Sequence, residues 1–166
     1  MATCGHIFAA ATIFLTLSIL TSESVKDVCP SGYEHNPFSN TCVRLIETLL
    51  NWHDAKAYCE KAGETLLVLD TLEGINWFKA LRTVNKKWRE TFGVWLAGYN
   101  GHQVWKWYGR KTHEIYLSDY RHNDPDGAWD TEQCLASYPW PSLQWYDIKC
   151  TATRFTFPCE KPAQES

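Results

Sequence analysis

The sequence predicts an α+β domain, with two helices early in the chain, small antiparallel sheets late and disulfides closing the whole. Three observations predict it. Apolar residues recur at helical spacing over residues 51–62 and again over 71–87. After Phe92 the texture changes to short β-rich runs interrupted by Gly, Pro, Asp and Asn. Six cysteines follow an apolar leader, an even number in a chain that reads as exported. Helices gathered in one half and strands in the other place the helices beside an antiparallel sheet.

The leader is residues 7–20, a run of 14 residues whose only polar members are Thr and Ser. A membrane-spanning helix needs about 20 apolar residues, so this run fits the centre of a secretory signal peptide instead. Small residues at Ser22 and Ser24 put cleavage near the bond between Ser24 and Val25. The expected organisation is a signal over 1–24, one domain over 25–161 and a short polar tail over 162–166. Cleavage removes Cys4 and leaves Cys29, Cys42, Cys59, Cys134, Cys150 and Cys159 in an extracellular chain. No two of these have Cys-x-x-Cys spacing, which disfavours zinc, and spacing alone leaves 15 pairings open. The net charge of −3 gives no electrostatic case for nucleic acid or an anionic membrane. A second long apolar segment is missing from the sequence, so membrane insertion is not expected. Nine Trp, eight Tyr and seven Phe supply ample area for a core.

Cys29 to Cys42 reads as a hairpin, with Asn36, Pro37, Ser39 and Asn40 as turn formers. Trp52, Ala55, Tyr58, Cys59 and Ala62 mark the inner face of the first helix, and Gly63 stops it. Residues 66–69 read as a short buried strand. Asp70 or Thr71 caps a second helix running to about Lys87, with Ile75, Phe78, Leu81 and Trp88 on one face. Strands follow over 93–98 and 104–107. Residues 109–145 read as one long loop, too aromatic and too closely flanked by cysteines to be disordered. Strands over 144–150 and 154–159 close the chain.

The loop carries Asn123-Asp124-Pro125-Asp126, then Trp129, Glu132 and Cys134, and Asp147 follows downstream. Asp124, Asp126, Glu132 and Asp147 are hard oxygen donors of the kind calcium takes. The same four acids also read as a solvated loop, since EF-hand spacing is absent. The histidines His35, His53, His102, His113 and His122 show no paired metal spacing, and no nucleophile–base arrangement can be read, so no enzyme is expected.

Motifs in sequence order resemble the C-type lectin domain in its long form, over Cys29 to Cys159. Trp52-His-Asp-Ala-Lys-Ala-Tyr-Cys59 is similar to the family's first-helix signature, and Val94-Trp-Leu-Ala-Gly98 to its Trp-Ile-Gly-Leu strand. Trp105-Lys-Trp107, Glu132-Gln-Cys134, Trp145-Tyr-Asp147 and Phe157-Pro-Cys159 complete the order. The resemblance implies the C-type lectin-like fold with bridges Cys29–Cys42, Cys59–Cys159 and Cys134–Cys150, each contributing roughly 2–4 kcal/mol. It implies one calcium ion held by Asp124, Asp126, Glu132 and Asp147, with sugar hydroxyls completing the shell and bonding the same side chains. Asp126 matches the family's galactose-type triplet, and Trp129 lies where some galactose binders place a stacking Trp. An auxiliary calcium site is not expected, because its acidic positions fall on Gly127 and Gln133.

Two residues depart from the family pattern. Asp124 is one methylene shorter than the usual Glu or Gln, about 1.5 Å of reach. Tyr146 stands where the family has a ligating Asn. The expected function is a secreted calcium-dependent lectin for microbial or cell-surface glycans, with any homo-oligomer formed through domain surfaces. The alternative is a calcium-independent C-type lectin-like module that binds a protein or a surface.

Overall fold

The computed structural model describes residues 28–109, 111–126, 133–140, 142–151 and 154–164. Its order is β1 (Glu34–Asn36), β2 (Thr41–Leu50), α1 (Trp52–Lys61), β3 (Thr65–Leu66), α2 (Leu72–Val84), α3 (Lys86–Arg89), β4 (Val94–Gly101), β5 (Val104–Tyr108), β6 (Thr112–Glu114), β7 (Cys134–Ser137), β8 (Trp145–Ile148) and β9 (Phe155–Pro162). The expected signal segment and its cleavage bond lie outside the described residues. The architecture is the expected α+β class, closed by the three expected disulfides, Cys29–Cys42, Cys59–Cys159 and Cys134–Cys150.

Local chemistry sets most element ends. Asn51 caps α1, its Oδ1 accepting from the Asp54 N–H at 3.0 Å, an arrangement worth about 1 kcal/mol. Gly63 follows the helix at φ +71°, the left-handed conformation that glycine adopts without strain. Trp52, Ala55 and Cys59 form the buried stripe of α1. Tyr58 and Ala62, expected on that face, lie exposed instead. Tyr58 sits one residue round the helix from Cys59, and its ring meets Phe157 in a T-shaped contact at 5.4 Å.

Thr71 caps α2 by accepting from the Gly74 N–H at 3.1 Å. The helix ends at Val84 and not at Lys87. Asn85 breaks it, because its side chain accepts from the Lys87 N–H at 3.1 Å and donates to Glu34 at 2.8 Å. The short α3 restarts from that cap and still buries Trp88, so the apolar pattern runs through the break. Arg82 on α2 is buried, its guanidinium donating to the carbonyls of Thr91 and Ser137 and to the Thr91 hydroxyl.

The strands run β1-β2-β9-β4-β5-β6, with β3 on β9, β7 on β4 and β8 on β7. All pairs are antiparallel except β4 with β9. The region expected as one loop over 109–145 contains two strands. Thr112–Glu114 pairs with β5, and Cys134–Ser137 lies between β4 and β8. Every residue of β7 is buried, so it has no alternating pattern to read. The core holds Trp52, Trp88, Trp95, Trp107 and Trp145. The indole N–H groups of Trp52 and Trp95 donate to the carbonyls of Leu96 and Leu50 at 2.8 and 2.9 Å, which satisfies them without water. Gly98 is required by packing, since a Cβ there would lie 2.6 Å from the Leu135 side chain.

Candidate metal centre

Asp147 lies on β8, where strand alternation turns Trp145 and Asp147 inward and Tyr146 and Ile148 outward. The chain before the centre runs along the free edge of that strand. Trp145 N–H donates to the Asp119 carbonyl at 2.9 Å, and the Arg121 N–H donates back to Trp145 at 3.0 Å. Tyr120 and Trp145 form an isolated parallel bridge. The Asp124 N–H then closes a turn onto the Arg121 carbonyl at 2.9 Å, with Asn123 at φ +76°. Asn tolerates that conformation better than most residues. The Asp124–Pro125 peptide is cis. The turn delivers Asp124 and Asp126 to Asp147.

One oxygen from each of Asp124, Asp126 and Asp147 lies within 4.8 Å of the others. Asp147 is buried, Asp124 half-buried and Asp126 exposed. Partial burial holds the Asp124 carboxyl above its ordinary pKa, and the charges of Asp147 and Asp126 raise it further, partly offset by Arg121. The buried Oδ2 of Asp124 has no hydrogen-bond partner among the described residues. Three converging carboxylates, one of which also carries a buried oxygen with no hydrogen-bond partner among the described residues, fit a divalent cation of the calcium class. Glu132 and Trp129, the remaining expected site residues, lie outside the described residues, as does Gly127. Gln133, the other position of the expected-absent auxiliary site, accepts from the Tyr99 hydroxyl at 3.3 Å.

Tyr146 is committed elsewhere. Its hydroxyl donates to the Trp140 carbonyl at 2.9 Å, and its ring meets Tyr138 at 4.9 Å. It therefore does not supply the neutral oxygen that Asn would. Sequence reasoning missed two neighbours of the centre. Tyr120 packs between Trp105 and Trp145, and its phenol pKa is raised by burial first and by Asp147 second. Arg121 lies over the Tyr146 ring at 5.5 Å while moderating Asp124. Neither carries a spacing signal, because both are placed by edge pairing to β8. A separate groove of about 500 Å³, lined by Phe38, Val68, Asp70 and His113 among others, contains none of the three carboxylates. His53 lies exposed on α1.

Residues 48–161 match the lectin C-type domain family. The chain is 29% identical over 125 residues to the hepatic lectin of Gallus gallus, a match covering 75% of this chain and 56% of that protein. It spans little more than half of that relative. It is 25% identical over 148 residues to the type-2 ice-structuring protein of Osmerus mordax, covering 88% of this chain and 79% of that protein. Among solved structures it is similar to a Ca2+-dependent type II antifreeze protein in its Ca2+-free form. That likeness has a TM-score of 0.66 and 25% identity, over 80% of this chain and 99% of the other. No helix among the described residues is long and apolar enough to cross a membrane.

Proposed function

Because the chain belongs to the C-type lectin domain family, we propose that it is a secreted, calcium-dependent glycan-binding protein whose centre is the carboxylate cluster of Asp124, Asp126 and Asp147. The convergence of these three acids carries the reading. Desolvation first, and then the charges of Asp147 and Asp126, hold the Asp124 carboxyl above its ordinary pKa, with Arg121 offsetting part of the effect. A divalent cation would relieve both. Glu132 is proposed as the fourth protein ligand, and one ion is expected. When bound, calcium supplies open coordination positions to two vicinal sugar hydroxyls. The chain's own part is to accept. Ionised Asp124, Asp126, Glu132 and Asp147 carry acceptors and no donors, so they take hydrogen bonds from those hydroxyls and fix their orientation. Asp126 at the end of the triplet and Trp129 support a preference for galactose-type sugars. The relatives above are named as a lectin and as ice-structuring or antifreeze proteins, not as enzymes.

A second reading rests on Tyr146. With its hydroxyl held by Trp140, the set lacks the family's neutral ligand, and the module would then bind its partner without calcium. Calcium titration by calorimetry separates the two. The calcium reading expects saturable heat that the double substitution Asp126→Ala, Glu132→Ala removes. Heat that survives both substitutions would move the site elsewhere, and no heat in the wild type would favour the second reading.

A further inference from the structure

We infer that Lys79 on α2 is a positioning residue for the carboxylate centre, its ion pair with Asp119 holding the segment that delivers Asp124 and Asp126 to Asp147. This rests on the calcium reading above and names a further residue that sets the affinity of that centre. The Lys79 Nζ lies 2.6 Å from the Asp119 Oδ2, and the two side chains are only 30% and 20% exposed. That Oδ2 is buried, and no hydrogen bond from another described group reaches it. The ammonium is therefore the charge that compensates it. Phe78 beside Lys79 and Arg82 further along α2 are both buried, so the helix that carries the ammonium is fixed to the core.

Hydrogen bonds carry the anchoring from Asp119 to the centre. The Asp119 carbonyl accepts from the Trp145 N–H at 2.9 Å, the Trp145 carbonyl from the Arg121 N–H at 3.0 Å, and the Arg121 carbonyl from the Asp124 N–H at 2.9 Å. The Gln144 side chain adds a bond to the Tyr120 carbonyl at 3.2 Å. The segment is thus registered on β8, the strand that carries Asp147. Loss of the Lys79 charge strands a buried carboxylate, which is costly. Asp119 regains water by withdrawing from α2, and the same residue carries the carbonyl that pairs with Trp145. Relief of the stranded charge therefore opposes the edge pairing that orders Asp124 and Asp126. Apparent calcium affinity then falls with the fraction of chains still competent to bind. Charge alone predicts the reverse. Removing a cation from a protein that binds a cation raises its affinity or leaves it unchanged. The direction of the change separates a positioning role from that of a bystander charge.

The test titrates the full chain with calcium by calorimetry, as wild type, Lys79→Met, Lys79→Arg and the double variant Lys79→Met, Asp119→Asn. Lys79→Met should weaken calcium binding about fivefold, which corresponds to about 1 kcal/mol, the upper end for a partly exposed ion pair. Lys79→Arg keeps the charge and should restore most of the affinity. The double variant strands no charge and should recover part of the loss. Hydrogen exchange in chelator supplies a readout that needs no calcium. The Trp145 and Arg121 amides should exchange faster in Lys79→Met than in wild type, while those of β9 keep their wild-type rates. Unchanged or tighter calcium binding in Lys79→Met overturns the inference and leaves the calcium reading intact. An equal loss in Lys79→Arg and Lys79→Met, or β9 amides accelerated as much as those of Trp145 and Arg121, makes Lys79 a general packing element and also overturns it. If the wild type binds no calcium, the calcium reading and this inference fall together.

Discussion

Replacing Asp124 by Asn should change stability in opposite directions with and without calcium. Without the ion, Asp124 is a half-buried carboxylate facing two others whose oxygens lie within 4.8 Å. At that distance two like charges repel by about 0.9 kcal/mol at the dielectric of water and by about 3.5 kcal/mol at an effective value near 20. Solvent screening at a half-exposed group brings the net relief toward about 1 kcal/mol. In chelator, Asp124→Asn should therefore melt about 2–4 °C above wild type in a chain of this size. With calcium the order reverses. Extracellular calcium modules bind at about 10⁻⁴–10⁻³ M. At a calcium concentration of about 100 Kd, the wild type gains about 2.7 kcal/mol, which the variant forgoes in large part. Differential scanning calorimetry in chelator and in calcium reads both signs. A variant that melts below wild type in both conditions, or a wild type that calcium does not shift, refutes the reasoning.

Acid should close the same gap. The folded-state pKa of Asp124 is raised, so its protonation contributes stability that is present at low pH and lost as pH rises through that pKa. In chelator the melting difference between wild type and Asp124→Asn should shrink as pH falls through the carboxylate range, and a constant difference would refute the assignment. Arg82→Leu should lower stability by about 3 kcal/mol, read as a reduced urea midpoint, because it strands the buried carbonyls of Thr91 and Ser137. Graded reductant should weaken ligand binding before the domain unfolds, since Cys134–Cys150 brackets β7 and the strand that carries Asp147. Superimposable binding and unfolding curves would contradict that.

The helix starts were legible because they are local chemistry. Asn51 and Thr71 satisfy N–H groups three residues on, and such signals need no tertiary context. The break at Asn85 was hidden because Phe78, Leu81 and Trp88 keep an apolar pattern across it. β7 was hidden because a strand buried on both faces does not alternate, and its pairing to β4 and β8 is non-local. Asp124, Asp126 and Asp147 could be brought together only through the family resemblance, since a solvated acidic loop has the same composition. The surroundings of the centre were out of reach for the same reason. Tyr120 and Arg121 arrive by pairing along the β8 edge, and Tyr146 turns outward by strand alternation.

The most direct measurement is a glycan array probed with the purified protein in calcium and again in chelator. The account predicts binding to galactose-terminated glycans in calcium, and its loss in chelator. Equal binding in the two conditions, or no glycan bound in either, would contradict it.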